Sequence, residues 1–392
     1  TYTTFDEGGT NIVVSDGMRL IGSYSANWLL RNPVTYPTIV NDTSTTTASD
    51  FNNPNCVITI NAGAGSETLV NGFTLNGGGI TDGSGNGASC GIEIKLNASP
   101  TIENNIISGG SAASSTGIID RGLSPVIRNN TIRGSEAGAQ SNALQGIISN
   151  GSSPTIIDND IIGGSGVAGQ SGGTGISLTD VNAIVERNSV VGGNAEVSYG
   201  VSVSGASTVL LRNNTIHGGN SFNTYGISIG AGNTITLQNN TIFSGNSPFE
   251  VTLYTGSPAI IENNILFGSK CIWETNAAAD PIRLFANNLY GCEQQFFYFD
   301  DDAQCTGNAD GDNDANTCTL AEMNQLPDMQ VDGSNINVNL GFGTQDDADW
   351  HLNAASPASV KFGGLDLSVD FSTDKDGTQR TAPWSMGAYE QD

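Results

Sequence analysis

Between Cys305 and Cys318 the chain reads Asn308-Ala309-Asp310-Gly311-Asp312-Asn313-Asp314-Ala315-Asn316. Asn308, Asp310, Asp312, Asp314 and Asn316 place an oxygen on alternate residues, with a glycine for the turn. Such a loop suits Ca²⁺, a hard cation that takes several oxygen ligands. Its spacing departs from the EF-hand, so the alternative is a solvated acidic loop stapled by a disulfide. A second candidate is aromatic. His217, Phe243 and Phe267 fall at equivalent points of an internal repeat, as do Tyr199 and Tyr225, while Arg133 shares the column of the first three. Strand alternation points that column outward, where stacked rings suit the apolar faces of a glycan chain. The alternative is that Gly/Ser loops fold over the rings and make a small satellite core.

Catalytic chemistry has less to stand on. Asp158 and Asp160 could act as an acid/base pair, yet both fit structural columns better. The lysines are Lys95, Lys270, Lys361 and Lys375 and the histidines are His217 and His351; none falls in a lyase or glycosidase motif. No Walker loop occurs. No catalytic residue is assigned, and the expectation leans away from an enzyme.

Composition narrows the partners. The chain has 392 residues, with 39 acidic against 13 basic side chains and a formal net charge of −26. That excludes the basic footprint a nucleic-acid binder needs, and it disfavours polyanions unless calcium bridges them. No run approaches the roughly 18 apolar residues of a membrane span.

These candidates must be positioned by repeated short elements. The phrases are ENNIISGG, RNNTIRGS, DNDIIGGS, RNSVVGGN, RNNTIHGG, QNNTIFSG, ENNILFGS and ANNLYGC. Their first asparagines stand at 104, 129, 159, 188, 213, 239, 263 and 287, a mean interval of about 26 residues. A Gly followed by a β-branched residue precedes most copies, as at Gly117-Ile118 and Gly226-Ile227. Strands of three to five residues with alternating apolar positions, such as Thr234–Gln238, fill the spaces, and nothing has the length or period of a helix. Prolines precede the second strand at 100, 125, 154 and 258, where a missing N–H is tolerated. The pattern predicts an all-β fold, a right-handed, single-stranded parallel β-helix of about 26 residues per coil. Residues 1–54 form an N-terminal cap and first coils, 55–295 the repeats, and 296–392 an irregular C-terminal cap region.

Counting from the first asparagine gives three columns. Ile107, Ile132, Ile162, Val191, Ile216, Ile242, Leu266 and Tyr290 point inward. Asn105, Asn130, Asp160, Ser189, Asn214, Asn240, Asn264 and Asn288 form a turn ladder that also absorbs the Asn-x-Thr sequons. Ser108, Arg133, Gly163, Gly192, His217, Phe243, Phe267 and Gly291 point outward. The residues just before the first asparagine make a charge ladder, with Arg187 over Arg212 as its one repulsive step. Six cysteines without a CxxC pair favour disulfides, paired in sequence as Cys56–Cys90, Cys271–Cys292 and Cys305–Cys318, and hence an exported protein. The chain opens without a charged-then-apolar leader, as expected where a signal peptide has been removed or left out.

The tail adds a resemblance. Asp349-Trp350-His351-Leu352, Ser356-Pro357-Ala358, Asp374-Lys375-Asp376-Gly377-Thr378-Gln379-Arg380 and Met386-Gly387-Ala388-Tyr389-Glu390 resemble the choice-of-anchor Q ending that follows parallel β-helix repeats in bacterial surface proteins. The stretch Ser15–Val40 resembles the opening common in the same proteins. Ser359-Val360-Lys361 and Met386 depart from the usual pattern. The resemblance implies export, a cell-surface location and the β-helix architecture, and no settled activity. The expectation is therefore an exported or cell-surface module that binds a carbohydrate or surface without catalysis. The alternative is a calcium-dependent polysaccharide lyase or glycoside hydrolase acting on an extracellular glycan.

Overall fold

The computed structural model describes residues 3–5, 12–23, 25, 30–32, 35–42, 54–79, 87–135, 143–165, 172–245, 247, 249–276, 278–292, 295–298, 305–306, 317–326, 329–340 and 349–391. They form an all-β solenoid of parallel strands in three sheets, and the two α-helices, Leu320–Met323 and Ala358–Lys361, have four residues each. Two compact units are present, residues 1–184 with 190–200 and residues 185–189 with 201–392.

Each coil contributes one strand to each sheet. In the first unit, the first sheet includes Ile106–Ser108, Thr131–Arg133 and Asp160–Ile162, and the second includes Ala88–Ile94, Ser114–Asp120 and Ala143–Asn150. Its third sheet includes Thr101–Glu103, Val126–Arg128 and Thr155–Ile157. The earliest strands belong to the same plan, since Ile12–Val14 pairs parallel with Asn55–Ile60 and Arg19–Ile21 with Leu69–Asn71. In the second unit, Thr215–His217, Thr241–Phe243, Ile265–Phe267 and Asn288–Tyr290 build the first sheet. Asn223–Ile229, Phe249–Thr255, Lys270–Glu274 and Gln295–Tyr298 build the second, and Thr208–Arg212, Thr234–Gln238, Ala259–Glu262 and Arg283–Phe285 the third.

The core is a set of aliphatic columns. Ile107, Ile132 and Ile161 are direct partners in the first unit, and Ile216, Ile242, Leu266 and Leu289 in the second, all buried. The glycine landmarks sit where sheets one and two converge. A Cβ on Gly146 would lie 2.5 Å from Ile161 Cγ2 and 2.6 Å from the Gly175 carbonyl, so only glycine fits there.

Counting from the first asparagine misplaces three copies by one residue. The turn residues with positive φ are Asn104, Asn129, Asp158, Arg187, Asn213, Asn239, Asn263 and Ala286, all between 52° and 57°. Ile161, Val190 and Leu289 therefore occupy the inward column in place of Ile162, Val191 and Tyr290, and these three point outward instead of Gly163, Gly192 and Gly291. The ladder runs through Asn159, Asn188 and Asn287, not Asp160, Ser189 and Asn288. The physical reason is that the left-handed turn favours Asn but also accommodates Asp158, Arg187 and Ala286, whereas the ladder position needs both halves of an amide. Asn130 shows this. Its Nδ2 donates to Asn159 Oδ1, the Ile102 carbonyl and the Arg128 carbonyl, while its own Oδ1 accepts from Asn105 N at 2.9 Å. In the second unit the chain of amides runs from Asn188 through Asn214, Asn240, Asn264 and Asn287 to Asn335. The sequons belong one residue earlier, at the turn residues Asn129, Asn213 and Asn239.

The charge ladder shifts likewise. Arg187 is a turn residue, not a rung over Arg212. Glu186 accepts from both, at 2.7 Å from Arg187 Nη1 and 2.8 Å from Arg212 Nη2, so the expected repulsive step is absent.

Candidate functional site

The first-sheet aromatics stack as their spacing requires, since adjacent strands lie about 4.8 Å apart. His217 meets Phe243 edge-on at 4.8 Å between centroids, Phe243 stacks on Phe267 at 4.9 Å, and Phe267 on Tyr290 at 5.3 Å. The column points outward but is not open. Trp350 lies 6.3 Å from His217 and 6.4 Å from Phe243, and Phe243 is 1% exposed. Phe243 therefore cannot stack on a sugar in this arrangement. The expected exposed ridge is corrected there: the ring has a tail tryptophan against it. His217 and Phe267 remain half-buried, and Arg133 is exposed on Thr131–Arg133 of the other unit.

The cover belongs to a tail that binds the turn residues. Asn213 Nδ2 donates to the Thr373 carbonyl, Asn239 Nδ2 to the carbonyls of Ser385 and Gly387, and Asn263 Nδ2 to that of Leu365. Leu365 N returns a bond to Asn263 Oδ1 at 2.7 Å. Arg380 is buried, and its Nη2 donates to Asn213 Oδ1 at 2.8 Å and to the Gly387 and Ala388 carbonyls. Its Nη1 reaches Glu390 at 3.1 Å. Burial pulls the guanidinium down to about 10, opposed by Glu390 and Asp374, so it stays charged at neutral pH. Asp374 accepts from the backbone N–H groups of Asp376, Thr378 and Glu390. The sequence motif of the tail is thus a set of structural fastenings.

An aromatic strip outside that cover lies on the second sheet. Tyr254 and Trp273 are direct neighbours in register, and Tyr298 follows Trp273. The Tyr225 and Tyr254 rings meet edge-on at 5.5 Å, and Lys270 Nζ lies 4.4 Å from the Trp273 ring centroid. Tyr225, Tyr254, Lys270 and Trp273 are all half-buried. Burial, then the Tyr254 hydroxyl, raises the Tyr225 pKa above its ordinary value, and burial lowers that of Lys270. Tyr225 was legible from its place before a glycine landmark. Tyr254 and Trp273 were missed because their coils lack that landmark; the alternation Leu253-Tyr254-Thr255 over Ile272-Trp273-Glu274 was the available signal. Tyr199, on Val197–Ser204, is half-buried in the other unit.

Among the described residues no group of three or more His, Cys, Asp or Glu could hold a metal. Asn308, Asp310, Asp312, Asp314 and Asn316 lie outside the described residues. Asp158 occupies the turn and Asp160 is exposed at the head of its strand. Asp120 is buried in the core, held by Ser149 Oγ at 2.7 Å, and burial raises its pKa. Disulfides join Cys56 to Cys90, Cys271 to Cys292 and Cys305 to Cys318. The first links direct register partners on neighbouring strands.

Residues 145–339 match the family described as the right-handed β-helix region, and the strand register just given is that of parallel coils. The described coils form a parallel β-helix. A comparison with curated proteins finds no match. Among solved structures, that of the Dettilon tailspike protein (gp208) is similar to this β-helix at 15% identity, with a TM-score of 0.35. The match covers 71% of this chain and 58% of the tailspike, less than two thirds of its length. No helix among the described residues of this β-helix is long and apolar enough to cross a membrane.

Proposed function

We propose that this β-helix is a non-catalytic module of an exported or cell-surface protein, and that Tyr225, Tyr254, Trp273 and Lys270 hold an extracellular glycan. The observation that carries the reading is the half-exposed aromatic strip, with Tyr254 and Trp273 paired across neighbouring strands and a lysine against the indole. Rings at this spacing offer successive apolar faces to a chain of sugars, and each ring adds a polar tip for the hydroxyls. Three disulfides favour an oxidising, extracellular setting, in keeping with the choice-of-anchor Q-like tail. Ca²⁺ is the proposed ion of the loop from Asn308 to Asn316, with a structural role. Incubation with neutral and uronic polysaccharides, with and without Ca²⁺, followed by co-sedimentation and sizing of the chains, tests the reading. Intact, co-sedimenting chains are expected. Shortened chains overturn the non-catalytic part in favour of a lyase or hydrolase, and intact chains left in solution overturn the binding part.

A further inference from the structure

The tail shows what the first-sheet turn row can do when a polypeptide lies along it. At Glu262-Asn263-Asn264-Ile265-Leu266, Asn263 both donates to and accepts from the Leu365 backbone, and its carbonyl accepts from Gly387 N at 2.7 Å. Gly387 lies against the outer side chain Ile265, which is 1% exposed; a Cβ on Gly387 would come within 2.5 Å of Ile265 Cδ1 and 2.7 Å of Thr241 Oγ1. Extended backbone, turn amide and glycine together seal an apolar row.

The other unit carries the same words in the same places. Glu103-Asn104-Asn105-Ile106-Ile107 repeats that segment with one aliphatic exchange. Asn104 has the same left-handed turn, with φ 56° against 57° at Asn263. Here, however, Ile106 is 54% exposed, Asn104 is exposed, and the next turn residue, Asn129, is exposed too. Neither amide side chain makes a hydrogen bond among the described residues, whereas those of Asn213, Asn239 and Asn263 all bind tail backbone. On the same outer face Thr131 lies beside Ile106, Arg133 beside Ser108, and Ile162 beside Arg133.

We infer that the Asn104–Ile106 face is a docking track for an extended polypeptide, and that its occupant is the C-terminal segment of a second copy of this chain. That segment satisfies the equivalent groups at Asn263 and Ile265. Recognition rests on backbone carbonyls for the Asn104 and Asn129 amides and on a glycine over Ile106.

The test uses the full chain and a fluorescently labelled synthetic peptide of residues 363–391, which holds both Leu365 and Gly387, followed by anisotropy. Saturable binding is expected. Asn104→Gly, which keeps the turn and removes the amide, and Ile106→Lys should each weaken it at least tenfold, and Gly387→Val in the peptide should do the same. Circular dichroism of the two protein variants checks that they remain folded. Absence of saturable binding overturns the inference. So does binding that both protein variants leave unchanged, because the peptide would then be exchanging with the chain's own tail.

Discussion

Arg380 Nη2 donates to Asn213 Oδ1 across 2.8 Å, joining a tail residue to a turn of the solenoid 167 residues earlier in the chain. The same guanidinium holds the Ser385, Gly387 and Ala388 carbonyls and the Glu390 carboxylate. It also lies 5.4 Å from the Trp384 ring, within a tail that buries Leu367, Phe371 and Trp384 together. A buried charge that organises so many acceptors cannot be removed without leaving them unpaired. Arg380→Met should lower stability by about 3 kcal/mol or more, measured by urea denaturation. A loss under about 1 kcal/mol would show that the tail does not depend on this clamp.

The amide ladder makes a sharper demand. Asn240 Nδ2 serves Asn264 Oδ1 and the Leu211 and Gln238 carbonyls, and its Oδ1 accepts from Asn214. Asn240→Ala would strand several fully buried groups, each worth about 1–3 kcal/mol, so a loss of at least about 3 kcal/mol is expected. Asn104→Gly, one residue off the ladder, should change stability by less than about 1 kcal/mol. The pair of denaturation curves checks the contrast.

His351 gives the tail a pH dependence. It lies between Asp349 and Asp376, with Nε2 at 2.7 Å from Asp376 Oδ2, and its ring lies tilted against that of Tyr389, 3.8 Å between centroids. Burial lowers its pKa, but the hydrogen bonds to Asp376 and Asp349 outweigh this and hold it above the ordinary 6.5. A raised folded pKa means a contribution fully present below 6.5 and lost as pH rises through the folded value. Asp349 is held below its ordinary 3.8, first by the His351 hydrogen bonds, so its contribution is present above 3.8 and lost on acidifying through the lower folded value. Stability should therefore fall on going from pH 6 to pH 9, and His351→Gln should flatten that slope. Both groups are well exposed, so the effect is small. An unchanged slope in the variant would remove His351 from the account.

Calcium has a direct thermal readout. If the loop from Asn308 to Asn316 binds it, Ca²⁺ at a hundred times its Kd adds about 2.7 kcal/mol and raises Tm. Replacing Asp310, Asp312 and Asp314 together by Asn should abolish the rise. No heat in calorimetry and no change in Tm would leave a solvated acidic loop.

The coil period, the strands and the three disulfide pairs were legible because each depends on local spacing. The register of three coils was not. Asp158, Arg187 and Ala286 stand at the turn where the other copies have asparagine, while the amide that has no substitute is the residue after it. The aromatic column His217–Phe243–Phe267 was legible as a stack, but its cover was not. Trp350 is more than a hundred residues from Phe243 in sequence, and no short-range pattern encodes that contact. Tyr254 and Trp273 were not legible because their strands, Phe249–Thr255 and Lys270–Glu274, lack the glycine that marks Asn223–Ile229.

The proposed binding of a glycan at the Tyr225–Tyr254–Trp273 strip, without cleavage, has a direct readout. The most direct measurement is the affinity of the wild-type chain and of Trp273→Ala for each polysaccharide that co-sediments, with chain length checked before and after. Intact polymer and at least a tenfold loss of affinity in the variant, about 1.4 kcal/mol, are expected, with its unfolding transition unchanged. Equal affinity in the two proteins, or shortened polymer, would contradict it.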